Sequence, residues 1–323
     1  MTGAVAIRRA HLSARFDASS VATLSELEPL RYEPVAEPGL PGHVRAASAV
    51  RRFAQRLVIV QDDVNALAVR ESSGAVTPVL LPPHTSGRVF DDAHGNKRDK
   101  LDLEACVSLR EDLFVAFGSG AMPARERLVV WNRRDAPIVV DGASLYRDLR
   151  DTVTRGATRL NMEGAVVTGT VVKLFHRGND ARGAGASAIA EVERDELVNW
   201  LAGRGPSPRV AGVTTVDLGA TRGVPFGFTD AAALDAERVV VLACAEDSAC
   251  AISDGAVLGT RVGVLEREQL RMVDVCDASG VPTRLKLEGI ETRSGDAFVF
   301  DVVADMDRPS APAQLGRLAW RWR

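Results

Sequence analysis

The chain has 323 residues, a formal net charge of −3, 46% hydrophobic and 26% charged residues. That composition excludes a disordered segment, and the lack of a basic surplus excludes a nucleic-acid binder that works by phosphate neutralisation. Cys106, Cys244, Cys250 and Cys276 show no CxxC spacing, so they read as free thiols of a reducing compartment. No apolar run reaches membrane-spanning length, and residues 1–20 carry Arg8, Arg9 and Arg15 without the continuous apolar core of a signal peptide. A cytoplasmic location is expected.

Residues 1–43 hold one strand at 4–12 and a stretch broken by Pro29, Pro34, Pro38 and Pro41. From there the chain falls into short β-branched runs bounded by polar or glycine-bearing turns, the pattern of strands and not of helices. The runs come in groups: 47–53, 57–61, 66–70 and 76–81; then 104–109, 113–117, 127–131 and 137–140; then 163–167, 171–176, 187–192 and 210–218; then 230–234, 238–244, 261–265 and 270–275; then 288–292, 297–303 and 315–322. Helices are expected at 143–153 and 194–201. A polar or acidic residue opens each group: Ser48, Glu104, Glu163, Thr229 and Glu288. They recur at intervals of about 60 residues, the period of four-stranded propeller blades. The fifth group is one strand short and strand 4–12 has no group of its own. An all-β, five-bladed propeller closed by the N-terminal strand leaves no open edge. It is a single domain with blades at about 44–90, 101–141, 160–218, 228–277 and 285–323.

In such a fold the five opening residues ring the central channel, and the ends of the second strands lie next to them. Those ends are Asp62-Asp63, Gly118-Ser119-Gly120, His176-Arg177-Gly178-Asn179, Glu246-Asp247-Ser248 and Asp305-Met306-Asp307. Three glutamates converging on one axis repel and raise each other's pKa values unless protons or a cation intervene. Oxygen donors without His or Cys suit a hard cation, and calcium accepts irregular oxygen sets. Expected ligands are Ser48, Glu104, Glu163, Glu288 and, in the fourth blade, Thr229 or its neighbour Asp230. The alternative is that each glutamate caps its blade by bonding backbone amides of the next.

These residues resemble the calcium-activated nucleotidases, the soluble apyrases, in which a Ser, a Glu, a Glu, a Ser and a Glu open the five inner strands around one calcium. Val60-Gln61-Asp62-Asp63 is similar to the family's Val-Asp-Asp element, and Asp92-Ala93-His94-Gly95 with Lys100 to its approach to the second blade. Phe175-His176-Arg177 is similar to a Leu-Pro-Arg-Arg strand end, Glu246-Asp247-Ser248 to Glu-Asp-Ser, and Lys286-Leu287-Glu288-Gly289-Ile290-Glu291 to Lys-Tyr-Glu-Gly-Ile-Glu. The chain also resembles an uncharacterised bacterial propeller family with phytase-like or esterase-like labels. It departs from the nucleotidases at Ala105 (Trp there), Ala243 (Lys) and Val64 (Arg), which removes an aromatic platform and two cations, and it lacks their secretory leader.

The resemblance implies a calcium-dependent hydrolase of a small anionic, phosphorylated substrate. Asp62 or Asp63 is then the general base, and His176 and Arg177 steady developing charge; the alternatives are a plain turn pair for Asp62-Asp63 and a satisfied strand-end histidine for His176. Lys97, Lys100 and Lys286 hold the substrate, with Arg125, Glu246 and Asp247 at the same mouth; for Arg125 a surface ion-pair cluster is the alternative. The charged loop 91–100 overhangs the site. The Gly-rich run 177–185 lacks the helix a phosphate loop needs, and no Gly-x-Ser-x-Gly elbow is present. A non-catalytic propeller pinned by its ion, and a calcium-dependent lactonase or esterase, are the other two classes; the oligomeric state stays open.

Overall fold

A computed structural model describes residues 7–33, 38–157, 159–178, 186–247, 255–293 and 295–321. The first strands are β1 (Arg8–Ser13) and β2 (Arg15–Pro29). Then comes a four-stranded antiparallel sheet of β3 (Ala47–Phe53), β4 (Arg56–Gln61), β5 (Ala66–Arg70) and β6 (Val76–Leu80). A second one follows with β7 (Leu103–Arg110), β8 (Leu113–Gly118), β9 (Arg127–Asn132) and β10 (Ile138–Asp141). Helix α1 (Ala143–Leu149), continued by a π-helical turn at Arg150–Thr154, leads to β11 (Met162–Thr168), β12 (Val171–His176) and β13 (Ser187–Glu193). Helix α2 (Arg194–Leu201), at the expected residues, leads to β14 (Val210–Asp217), which completes the third run.

After the two-residue ladder of β15 (Ala220–Thr221) and β16 (Val224–Pro225) comes the fourth run. It comprises β17 (Gly227–Ala233), β18 (Arg238–Asp247), β19 (Ala256–Glu266) and β20 (Gln269–Cys276). The chain ends with β21 (Lys286–Arg293), β22 (Asp296–Asp305) and β23 (Gln314–Trp320).

The runs are joined as a β-propeller joins them. Strand β3 packs on β7, β7 on β11, β11 on β17, β17 on β21, and β21 back on β3. The buried side chains form clusters that each bridge two neighbouring runs. Phe53 of the first run meets Phe114 and Trp131 of the second at ring-centroid distances of 5.7 and 5.4 Å, and Phe175 of the third meets Phe228 of the fourth edge-on at 5.1 Å. Helices α1 and α2 bury Leu145, Tyr146, Leu149 and Leu197 against the second and third runs. Among the described residues no helix is long and apolar enough to cross a membrane.

The N-terminus corrects one expectation. The strand expected at 4–12 does not close the last run: its described part lies in β1, which pairs parallel with β14 as a fifth, outermost strand. The closing strand is β2. Its end pairs antiparallel with β23 from Ala22↔Trp320 to Pro29↔Gln314, while its start runs parallel to β20. The reason is burial. In β1 only Leu12 is buried, which suits an outer edge, whereas β2 inserts Ala22 and Leu24 into the core beside Leu318 and Trp320. Residues Ala4, Asn179, Ser248 and Cys250, named above, lie outside the described residues. Cys106, Cys244 and Cys276 are free and buried.

Candidate functional site

Each inner strand carries one register slip near its start: Ala47/Ala49, Leu103/Ala105, Met162/Gly164, Phe228/Asp230 and Leu287/Gly289. The residues passed over are Ser48, Glu104, Glu163, Thr229 and Glu288, so the five opening residues are five equivalent β-bulges. A bulge leaves its extra residue unpaired and re-aims the side chain. Ser48 Oγ donates to the Leu103 carbonyl at 2.5 Å and Thr229 Oγ1 to the Leu287 carbonyl at 2.7 Å, which clips each bulge to the residue before the next strand's glutamate. The glycines after Glu163 and Glu288 answer a close approach. A Cβ on Gly289 would stand 2.7 Å from the Val50 nitrogen, and one on Gly164 3.1 Å from that of Ala231.

The glutamates face one another. Burial raises the pKa of Glu104 well above the carboxylate range, and Asp62, Asp102 and Glu163 add to the rise. Burial pushes Glu163 up to about 8, with Glu288 and Glu246 adding to it against Arg177 and Lys286. Burial also raises Glu288, whose Oε2 is buried without a hydrogen-bond partner. Carboxylate oxygens of Asp62, Asp102 and Glu104 lie within 4.8 Å of one another. Cations are threaded between them. Lys100 Nζ stands 2.5 Å from Asp62 and 2.6 Å from Asp102, and Arg125 2.9 Å from Asp102. Arg177 stands 2.6 Å from Glu246 and 3.5 Å from Glu163, and Lys286 3.1 Å from Glu288. Six carboxylates (Asp62, Asp102, Glu104, Glu163, Glu246, Glu288) thus meet four cations (Lys100, Arg125, Arg177, Lys286). Counted as ionised, the carboxylates exceed the cations by two, beside an orphaned oxygen. Either protons on the raised Glu104 and Glu163 carboxyls or one divalent cation neutralises that excess. The donors are hard oxygens, a set that fits calcium.

Next to this cluster lies a pocket of about 390 Å³, walled by Asp62, Asp63, Lys97, Lys100, Lys286 and Asp305 among others. Asp62 is partly exposed. Asp63 is clamped by Arg45 Nε at 2.9 Å and Nη2 at 2.5 Å, and burial, then Asp62, raises its pKa to about 6. Burial pushes Asp305 up to about 8, Lys286 opposing and Asp307 and Asp62 adding. Loop 91–100 supplies Asp91, Asp92, Ala93, Lys97 and Lys100 to the wall, and Arg45 holds Asp91 at 3.1 Å.

Five of the expected site residues are therefore together at the pocket: Asp62, Asp63, Lys97, Lys100 and Lys286. Others are placed elsewhere. Arg177, expected to steady a substrate, is buried on Glu246 and Glu163. Arg125 is buried on Asp102 and is neither substrate-facing nor a surface cluster. Glu246 also accepts the Gly255 amide at 2.7 Å, and Asp247 is exposed at the end of β18. Asp230 turns away from the glutamates: its Oδ1 meets Arg51 at 3.1 Å and its Oδ2 accepts the Ile290 amide at 2.9 Å.

His176, expected either in catalysis or as a satisfied strand-end histidine, is placed as the second: it is buried, and its Nδ1 accepts the Asn161 amide at 3.1 Å. Burial holds its pKa down at about 4, so the unfolded chain takes up the proton first. Stability from this residue is present above about pH 6.5 and is lost as pH falls toward 4, by about 3 kcal/mol in all. In His176→Gln, the loss of melting temperature between pH 7 and pH 4.5 should shrink measurably; an unchanged slope refutes a buried neutral imidazole.

The sequence reading missed Asp102 and Arg45. Asp102 adopts φ +55°, a left-handed conformation that Asp tolerates, and Ala46, at the equivalent place before Ser48, has φ +46°. The carbonyls of Ala46, Asp102 and Asn161 accept the amides of Asp62, Ser119 and Arg177 at 3.0, 2.8 and 2.9 Å, fixing the second-strand ends beside the bulges. An acidic residue two before Glu104 was the available signal.

The model of a family described as one of unknown function (DUF6929) matches residues 43–319. No curated protein matches. Among solved structures, a mannose phosphorylase from Leishmania mexicana is similar at 12% identity over 92% of this chain and 88% of that one, with a TM-score of 0.47. YCF48 from Cyanidioschyzon merolae is similar at 12% identity over 88% and 72%, TM-score 0.39. Virginiamycin B lyase from Staphylococcus aureus is similar at 9% identity over 88% and 68%, TM-score 0.35. Likeness at this level assigns no residue a role.

Proposed function

The chain belongs to that family of unknown function, and from its geometry we propose a five-bladed propeller that holds an axial calcium ion and hydrolyses a small anionic, phosphorylated substrate in the adjoining pocket. The observation that carries this reading is the crowding of the buried carboxyls of Glu104, Glu163 and Glu288, which hold one another's pKa values up and leave Glu288 Oε2 without a partner, beside the pocket that Asp62 lines. Glu104, Glu163 and Glu288 would hold the ion, with the Ser48 and Thr229 hydroxyls next to them. When bound, it supplies a Lewis acid to a phosphoryl oxygen or to water.

The chain's own groups do the rest. Asp62, partly open to the pocket, accepts the proton of the attacking water. Lys97 and Lys286 line the same wall and balance substrate charge. Arg45 clamps Asp63 and Asp91 together, so that wall is held in one shape. Without an added cation the wall carries Asp62, Asp63, Asp91, Asp92, Asp305 and Asp307 against Arg45, Lys97, Lys100, Lys286 and Arg308, and an anion gains little by entering. Substrate binding should accordingly depend on the ion. Buried reduced thiols suit a cytoplasmic site of action.

The test is phosphate release from nucleotides, pyrophosphate and sugar phosphates, with calcium and with chelator. Release should require calcium and should fall by about 10²–10⁴-fold in Asp62→Asn. Turnover of lactones alone, or Asp62→Asn retaining full activity, sinks the hydrolase assignment. A second reading, an ion that only pins the blades, is favoured by one observation: His176 and Arg177 are paired within the protein and do not line the pocket. It predicts no turnover at all.

A further inference from the structure

The far end of the channel is built differently from the acidic mouth. Arg51 closes the channel between the two ends, and beyond it a cavity of about 770 Å³ opens. Its wall has two chemistries. Strand β11, the end of β17 and the residue after it contribute the partly exposed Val167, Ala233 and Leu234; β3 and β21, neighbours on the other side, contribute Arg52, Glu291 and Arg293.

The carboxylates on the polar side are committed. Glu291 accepts the backbone amides of Arg52 and Thr292, both at 2.7 Å, and the Thr292 hydroxyl at 3.0 Å. Asp301 lies between Arg52 at 3.0 Å and Arg293 at 3.4 Å. Two guanidiniums therefore share one carboxylate at the rim, and their side chains stay 36% and 42% exposed. The surplus negative charge, of Asp230 and Glu291 over Arg51, is buried behind them. Arg52 gives Asp301 only its Nη2. A guanidinium offers five donors in a planar fork that matches a carboxylate.

We propose that this mouth is a second binding site, for a small monocarboxylate with an apolar body. The carboxylate lies on Arg52 and Arg293 and the body on the valine and leucine wall. At the rim two guanidiniums share the one carboxylate of Asp301, which leaves donors for one further carboxylate, while Asp230 and Glu291 behind them disfavour the double charge of a phosphate monoester. An apolar wall across from the arginines suits a hydrocarbon rather than a sugar. The site is separated by Arg51 from the proposed metal cluster, so occupancy of one does not require the other.

Calorimetric titration with octanoate tests this. Octanoate should bind the wild-type chain equally well in calcium and in chelator. It should bind at least tenfold more weakly to Arg293→Gln, a half-exposed position whose loss leaves the fold intact, and to Arg52→Lys. Octanol, with the same body and no charge, should bind at least tenfold more weakly than octanoate. No octanoate binding by the wild type, equal binding by octanol, or unchanged affinity in Arg293→Gln overturns the proposal.

Discussion

Arg51→Met is expected to abolish stable folding. The Arg51 guanidinium leaves β3 and crosses the channel to all the other inner strands. It donates to the carbonyls of Cys106 on β7 at 3.1 Å, Ala165 on β11 at 3.3 Å, Ala231 on β17 at 2.8 Å and Ile290 on β21 at 3.2 Å. It also meets the Asp230 carboxylate at 3.1 Å and that of Glu291 at 3.7 Å. Burial works against its charge, but Asp230 and Glu291 outweigh burial and hold its pKa above the ordinary guanidinium value. Burial raises Asp230 to about 7 even with Arg51 present. Methionine has comparable bulk, so the loss is electrostatic: the buried Asp230 carboxylate keeps its backbone amide donor but loses its charge partner, and four carbonyls lose the guanidinium. Removing one partner of a buried pair costs about 3–5 kcal/mol, a large share of the stability of a domain.

The companion variant Asp230→Asn keeps the carbonyl contacts of Arg51 and should lose less. Arg51→Met combined with Asp230→Asn should recover part of the single-variant loss, because the orphaned charge is gone. Urea denaturation followed by circular dichroism measures all three. An Arg51→Met chain with a wild-type midpoint rules out Arg51 as the pin of the five inner strands.

The strand pattern and the equivalence of the five openings were readable because each bulge shows in the sequence as a polar residue set in an apolar run. Glu163-Gly164 and Glu288-Gly289 were legible for a second reason, the glycine that a neighbouring strand requires. What was not legible lay in residues whose partners are far away in sequence. Arg51 reads as an ordinary outward arginine of an alternating strand until the ring closes and places four carbonyls around it. Asp230 looks like a ligand because it adjoins Thr229, yet its partners are Arg51 and the Ile290 amide. Strand β2 was hidden by its polar face, Asp17 to Ser20 and Glu26 to Glu28, since only Ala22 and Leu24 report its burial. His176 and Arg177 resembled catalytic groups by type, and nothing in a linear pattern reports that Asn161 and Glu246 occupy them.

Calcium should raise the melting temperature of the wild-type chain, and Glu163→Gln and Glu288→Gln should abolish that rise. The cluster holds Glu104, Glu163 and Glu288 in mutual repulsion, relieved only in part by Lys100, Arg177 and Lys286. A divalent ion binds the folded arrangement and not the unfolded chain, so at a hundredfold excess over its dissociation constant it stabilises by about 2.7 kcal/mol. For a domain of this size that is a shift of several degrees. Glutamine keeps the shape of glutamate and removes its charge, so each variant should fold in chelator near the wild-type midpoint while losing the response to calcium. Asp230→Asn, whose carboxylate serves Arg51, should instead lower the midpoint and keep the response. Magnesium, which demands a small octahedral shell, should give less than calcium. Identical wild-type melting curves in millimolar calcium and in chelator would mean that protons and the four resident cations together neutralise the cluster, and the proposed ion site would have to be abandoned.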